Sequence, residues 1–134
     1  MLQVLDAYAL MVYLEKEPGY EKVRDMFTAA SEKDKELLMT TVNWGEVYYM
    51  ILRDHDINKA EEIAGLIRIL PIKIVDVDLD IAREAATFKA NYKLSYADCF
   101  AAGLAKLRKA ELVTGDKEFK AVEGKIKINW LHGG

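Results

Sequence analysis

The chain has 134 residues, 51% hydrophobic and 31% charged, with 19 Lys and Arg against 22 Asp and Glu for a formal net charge of −3. That length suits one compact domain with a sizeable core, and two prolines with eight glycines exclude a collagen-like or proline-rich chain. The slight acidic excess supplies no overall positive field for nucleic acid, so any such role must rest on where particular acids fall. In chain order, Met1–Leu5 is a short apolar strand stopped at Asp6, and Ala7–Glu15 reads as a helix ended by Pro18-Gly19. Tyr20–Ala30 places Val23, Met26, Phe27 and Ala30 at helical spacing, and the charge run Glu32–Glu36 reads as a solvated helix end or loop. Leu37–Thr41 is the second strand, followed by helices from about Trp44 to Arg53 and from Lys59 to Leu70, the latter stopped by Pro71. Ile72–Val75 is the third strand, and Leu79–Tyr92 and Ala97–Leu107 are helices. Glu111–Thr114 and Ile126–Trp130 complete five strands.

This β-α alternation predicts a three-layer α/β/α sandwich with a mainly parallel central sheet of about five strands, in a single domain over 1–134. Ligands of such sheets bind beyond the carboxyl ends of the strands. One cysteine, Cys99, excludes an internal disulfide and suits a reducing interior. His55 and His132 with one cysteine make no recognisable zinc spacing. Neither Ser31 nor Ser95 sits in a G-x-S-x-G elbow, and no G-x-G-x-x-G or Walker loop is present. The first residues lack the basic region of a signal peptide, and no uncharged run approaches the ~18 residues of a membrane span. The expectation is a cytoplasmic protein without a membrane partner, whose usable chemistry is mostly carboxylate.

Three acids interrupt otherwise uncharged windows: Asp6 in 1–14, Glu46 in 37–52 and Asp98 in 94–105. A carboxylate embedded in buried sequence is costly unless paired, protonated or bound to a cation. Asp116 follows the fourth strand. If strands one, two and four are parallel neighbours, Asp6, Glu46 and Asp116 share one rim of the sheet, and Asp98 joins them if its helix starts above that rim. Clustered carboxylates repel, and a hard cation such as Mg²⁺ or Mn²⁺ resolves the repulsion. Each acid also has a plainer reading. Asn43-x-x-Glu46 and Ser95-x-x-Asp98 have capping-box spacing, Asp6 fits a helix cap, and Asp116 a turn. Four separate caps need not fall on one edge, so together they favour a site.

At these residues the sequence resembles the PIN-domain ribonucleases, and especially the toxins of VapBC toxin–antitoxin pairs. The resemblance covers nearly the whole chain. It is carried by Val4-Leu5-Asp6-Ala7-Tyr8-Ala9-Leu10, Thr41-Val42-Asn43-Trp44-Gly45-Glu46, Leu94-Ser95-Tyr96-Ala97-Asp98-Cys99-Phe100-Ala101-Ala102 and Leu112-Val113-Thr114-Gly115-Asp116-Lys117-Glu118-Phe119. It implies an endoribonuclease dependent on Mg²⁺ or Mn²⁺, usually homodimeric and held inactive by a VapB-like antitoxin. It also implies that Asp6, Glu46, Asp98 and Asp116 are the catalytic metal ligands, and that Thr114 is the hydroxyl accompanying the last acid. Asn43 and Ser95 stand beside the acids in the matching motifs. Many relatives carry Ser or Thr after the first acid, where this chain has Ala7.

Substrate phosphates need local positive charge, and Lys117, Lys120, Lys93 and Arg53 are the nearest bases in sequence, with ordinary surface solvation as the alternative. Trp44, Tyr48 and Tyr49 fit a core or dimer face better than a base-stacking platform. Two other functions stay open at this point. The run Asp76-Val77-Asp78-Leu79-Asp80 also follows a strand and suits a receiver-type phosphoacceptor, although Asp78 fits a helix cap. A PIN-like module used only for assembly is the third reading.

Overall fold

The computed structural model describes residues 1–132. Its elements are β1 (Gln3–Leu5), α1 (Ala7–Leu14), α2 (Tyr20–Glu32), β2 (Leu37–Thr40), α3 (Thr41–Asp54), α4 (Ile57–Ile69), β3 (Ile72–Val75), α5 (Leu79–Asn91), α6 (Tyr96–Arg108), β4 (Glu111–Thr114), a 3-10 helix (Lys117–Val122) and β5 (Lys127–Trp130). Side chains alternate across a strand, and that alternation creates two cores. Val4, Leu38, Val75 and Leu112 face α5 and α6, where Ile81, Ala85, Phe88, Cys99 and Phe100 pack. Leu5, Met39 and Val113 face the opposite way, onto Val23 and Phe27 of α2, Val47 and Ile51 of α3, and Ile63 and Ile67 of α4. The α/β/α sandwich is therefore present, with α1 to α4 on one face and α5 and α6 on the other.

All strand pairs are parallel, in the order β3-β2-β1-β4-β5. Val4 sits between Leu38 and Leu112 in register. The chain builds outward from β1 to β3, then returns to the other side of β1 with β4 and β5. The order thus reverses between β1 and β4, and the carboxyl ends of those strands flank the crevice where such sheets bind ligands. A flavodoxin-like receiver would order its strands 2-1-3-4-5, so the phosphoacceptor alternative is set aside. Asp78 caps α5, accepting from the Ile81 N–H at 2.9 Å.

Element boundaries differ from the sequence expectation mainly at α3. The helix starts at Thr41, three residues before the expected Trp44, because Thr40 is its N-cap and accepts the Asn43 N–H at 3.1 Å. Asn43 therefore lies inside the first turn and caps nothing. The charge run behaves as expected, with α2 ending at Glu32 and a loop leading into β2. The Cys99 thiol is fully buried, and His55 is exposed. Trp44 and Tyr48 stack with centroids 5.2 Å apart against the core, and Tyr49 is exposed. Among the described residues no helix is long and apolar enough to cross a membrane.

Candidate active site

Asp6 leaves the carboxyl end of β1 as the N-cap of α1 and is 1% exposed. Its Oδ1 accepts the Ala9 N–H at 2.8 Å, and its Oδ2 accepts the Thr114 hydroxyl from the end of β4. Thr114 Oγ1 in turn accepts the Asp116 N–H at 3.0 Å, and Asp116 Oδ1 accepts the Glu118 N–H at 3.0 Å. One chain of hydrogen bonds thus runs across the β1–β4 crevice. Asp6 caps α1, as its plainer reading expects, and Asp116 caps the 3-10 helix.

Glu46 arrives from α3 and is half-buried. Its Oε1 accepts from Asn43 Nδ2 at 2.9 Å, and the same nitrogen donates to the Ala97 carbonyl at 3.1 Å. Asn43 is fully buried, and its Oδ1 accepts the Thr40 hydroxyl at 2.6 Å. Ala97 immediately precedes Asp98, so one amide ties the Glu46 helix to the Asp98 helix. Ser95 caps α6 by accepting the Asp98 N–H at 3.2 Å. Asp98, Asp116 and Glu118 each present a carboxylate oxygen within 4.8 Å of the others.

These acids feel one another. Burial pushes the Asp6 carboxyl up to about 8 against the restraint of the Thr114 and Ala9 hydrogen bonds, with Asp98 and Asp116 adding to the rise. Burial also raises Asp98 to about 7, reinforced by Asp116 and, more weakly, by Glu46 and Glu118, against its Ser95 hydrogen bond. Glu46 is raised by burial, partly countered by Asn43, with Asp116 adding. Among the described residues, none of Asp6, Glu46, Asp98 or Asp116 forms an ion pair with a base. All-oxygen donors, crowded negative charge and no basic counter-charge are the donor chemistry that suits a hard divalent cation. The residues present therefore fit Mg²⁺ or Mn²⁺.

Of the expected basic residues, Lys117 and Lys120 lie exposed on the 3-10 helix beside Asp116, and Lys93 lies exposed just ahead of α6. Arg53 is placed apart, in the last turn of α3, paired with Asp54 at 2.9 Å and over the Tyr49 ring. Ala7 is buried and offers no hydroxyl, while Thr114 brings one to Asp6 from β4.

Sequence reasoning missed Glu118, Tyr8 and His132. Glu118 sits among Lys117 and Lys120, and a search for acids in uncharged windows passes over it. Only its two-residue spacing from Asp116 could have drawn notice. The Tyr8 hydroxyl and His132 Nε2 are 3.2 Å apart, and the rings meet edge to face. Burial raises the Tyr8 pKa, and Glu17, Asp116 and Asp6 add to the rise, so this tyrosine lies within reach of the acids.

The pair closes over Gly115, where a Cβ would come 2.3 Å from Tyr8 Cε1 and 2.9 Å from His132 Nε2. Gly115→Ala is expected to part the two rings, displace the neighbouring Asp116 and destabilise the fold by about 1–3 kcal/mol. Thermal unfolding checks this, and adding Tyr8→Ala to the variant should recover most of the loss. A single variant as stable as wild type would refute the contact.

The PIN domain profile matches residues 4–125. Among curated proteins none matches the chain. Solved structures with the same fold include the DNA-bound VapBC of Salmonella typhimurium, with a TM-score of 0.77, 18% identity and coverage of 98% of this chain and 100% of that one. VapBC2 of Rickettsia felis, bound to a DNA fragment from its promoter, superposes with a TM-score of 0.75 at 14% identity over 96% and 98% of the two chains. Mycobacterium tuberculosis VapC20, described as a Sarcin-Ricin loop cleaving toxin, gives 0.68 at 12% identity over 95% and 98%. At these identities the likeness is one of fold.

Proposed function

Because the chain belongs to the PIN-domain family, we propose that it is a divalent-cation-dependent endoribonuclease, working as a single PIN unit and as the toxin of a toxin–antitoxin pair in the cytoplasm. One observation carries this reading: Asp6, Glu46, Asp98, Asp116 and Glu118 converge without a basic partner on the rim where the strand order reverses. Asp98, Asp116 and Glu118 would hold Mg²⁺ or Mn²⁺, with Asp6 and Glu46 completing the acidic wall. When bound, the cation supplies positive charge for a phosphodiester and makes water at the rim more acidic.

The chain's own groups do the rest. A half-buried carboxylate such as that of Asp98 accepts the proton of the attacking water. The water oxygen bonds to phosphorus as the P–O3′ bond breaks, and the departing oxygen takes a proton from solvent, leaving 5′-phosphate and 3′-hydroxyl ends. Asn43 and Thr114 orient the carboxylates of Glu46 and Asp6, and Ser95 caps the turn that carries Asp98. Lys117, Lys120 and Lys93 draw substrate phosphates to the rim. Arg53, at the far end of α3, does so only for a longer strand.

The VapBC complexes of the same fold support a VapB-like antitoxin as the protein partner. A homodimer formed through the α3 face is supported by the exposed Tyr49 and Leu52. The test is cleavage of a mixed RNA pool with Mg²⁺ or Mn²⁺, with chelator, and by Asp98→Asn. Activity is expected to vanish in chelator and to fall at least ~100-fold in the variant, the lower range for a general base. Cleavage that survives both would refute the reading, and a wild type that never cuts RNA would leave the assembly module in its place. Growth arrest on expression, relieved by a co-expressed antitoxin, tests the toxin role separately.

A further inference from the structure

Away from the acidic rim, a groove of about 440 Å³ runs between α5, α6 and the segment leading into β5. Its aromatic wall is the buried Phe88 and the half-buried Tyr92, with centroids 6.0 Å apart. Lys106 Nζ lies 5.9 Å from the centre of the Phe88 ring and 3.5 Å from Glu84, the groove's only acid among the described residues. Lys125 stands on the opposite lip and has no ion pair among the described residues. Asn91 donates from Nδ2 to the Thr87 carbonyl at 2.8 Å, which leaves its Oδ1 as an acceptor facing the solvent side of α5.

Lys106 and Lys125 also line an adjoining hollow of about 230 Å³, flanked by Lys109 and Lys127 over Ala105 and Ile126. Lys109 holds the left-handed conformation (φ 51°) at the end of α6, a position that favours glycine. Four lysines gather here in a chain whose net charge is −3; Lys106 is paired with Glu84 and Lys127 with Glu111 at 3.8 Å, while Lys109 and Lys125 have no ion pair among the described residues.

The half-buried Tyr92 ring, a spare amide acceptor and a row of ammonium groups are together the recognition set of single-stranded nucleic acid, with stacking and an edge contact for bases and lysines for phosphates. An acidic peptide would use the lysines and leave the ring without a partner. We propose that this groove is a second RNA-binding site, holding single-stranded substrate away from the acids; it rests on the reading of the protein as a ribonuclease. Lys106 follows Asp98 by eight residues on α6, a rise of ~12 Å, or roughly four stacked nucleotides at ~3.4 Å each. Lys127 opens β5, whereas Asp116 follows the end of β4, so the lysines lie toward the other end of the sheet.

The experiment measures binding of a fluorescein-labelled 12-nucleotide single-stranded RNA to the full chain in chelator, across a salt series. Wild type should bind. Lys106→Glu/Lys125→Glu should bind at least tenfold more weakly, with the log–log salt slope shallower by about 1.4, the share of two single-strand phosphate contacts. Tyr92→Leu should weaken binding several-fold without changing that slope. Lys109→Gly should raise the unfolding temperature and still weaken RNA binding, which a purely structural lysine would not do.

Full affinity in a folded Lys106→Glu/Lys125→Glu protein overturns the proposal. So does a wild type that binds no RNA in chelator, or one that binds polyglutamate as tightly as RNA. Cleavage of a trinucleotide with Mn²⁺ separates the two readings, since it is too short to reach the groove. Groove variants should leave its turnover unchanged. Intact cleavage with unaltered binding in the variants refutes the groove alone, and groove-dependent binding without any cleavage refutes the nuclease alone.

Discussion

Asp6→Asn is expected to abolish cation-dependent cleavage and, at pH 7 in chelator, to make the protein more stable than wild type. The Asp6 carboxyl is buried without a base and its pKa is pushed from 3.8 to about 8. Between those values the folded state holds a proton that the unfolded state has released, so stability falls as pH rises through the interval and the loss is complete above about 8. Asparagine carries no titrating charge. Its Oδ1 can keep the Ala9 hydrogen bond, and its Nδ2 can donate to Thr114 Oγ1. The expected gain at pH 7 is on the order of 2 kcal/mol, or about 5 °C in unfolding temperature for a chain of this size.

Below pH 4 the two proteins should converge. Mn²⁺ should raise the unfolding temperature of wild type more than that of the variant, because a ligand stabilises only as far as it binds the folded state. The decisive comparison is a pair of pH–stability curves in chelator. A variant less stable than wild type at pH 8 would show that the carboxylate is not strained by its surroundings.

The second large effect belongs to an uncharged residue, Asn43. Asn43→Ala removes one amide that serves the Thr40 hydroxyl, Glu46 Oε1 and the Ala97 carbonyl. Leaving those buried groups without partners is expected to cost about 2–4 kcal/mol and to lower the unfolding temperature by about 10 °C. Cleavage measured well below that temperature should still drop at least ~10-fold, because Glu46 and Asp98 lose their common anchor. Asn43→Asp separates packing from charge. It retains the acceptor for Thr40 but sets a second carboxylate against Glu46, so its unfolding temperature should recover as pH is lowered toward 5. An alanine variant with wild-type turnover at low temperature would deny Asn43 any orienting role.

Much of this was legible in the chain because burial and charge conflict locally. Asp6, Glu46 and Asp98 each interrupt an apolar window, and Ile72–Val75 and Glu111–Thr114 form strands with the bounds that their composition suggests. The α3 start was not legible, since Thr40-x-x-Asn43 and Asn43-x-x-Glu46 have the same capping spacing and only packing selects between them. Glu118 carries its charge in a charged neighbourhood and becomes distinctive only when the 3-10 helix turns it toward Asp98. Tyr8 and His132 are 124 residues apart, and nothing local to either forecasts their meeting over Gly115.

The hydrogen bond from Thr114 to Asp6 spans 108 residues, which has a consequence for how the protein is made. β1 leaves the ribosome well before its second neighbour, β4, so the central strand waits with one side open. At ~5–20 residues per second, the first acid is synthesised roughly 5–20 s before its hydroxyl partner. No nascent chain that stops short of β4 can assemble the acidic rim. Premature termination before β4 therefore leaves Asp6 without Thr114, Asp116 and Glu118, and the acidic rim exists only after synthesis has passed Glu118.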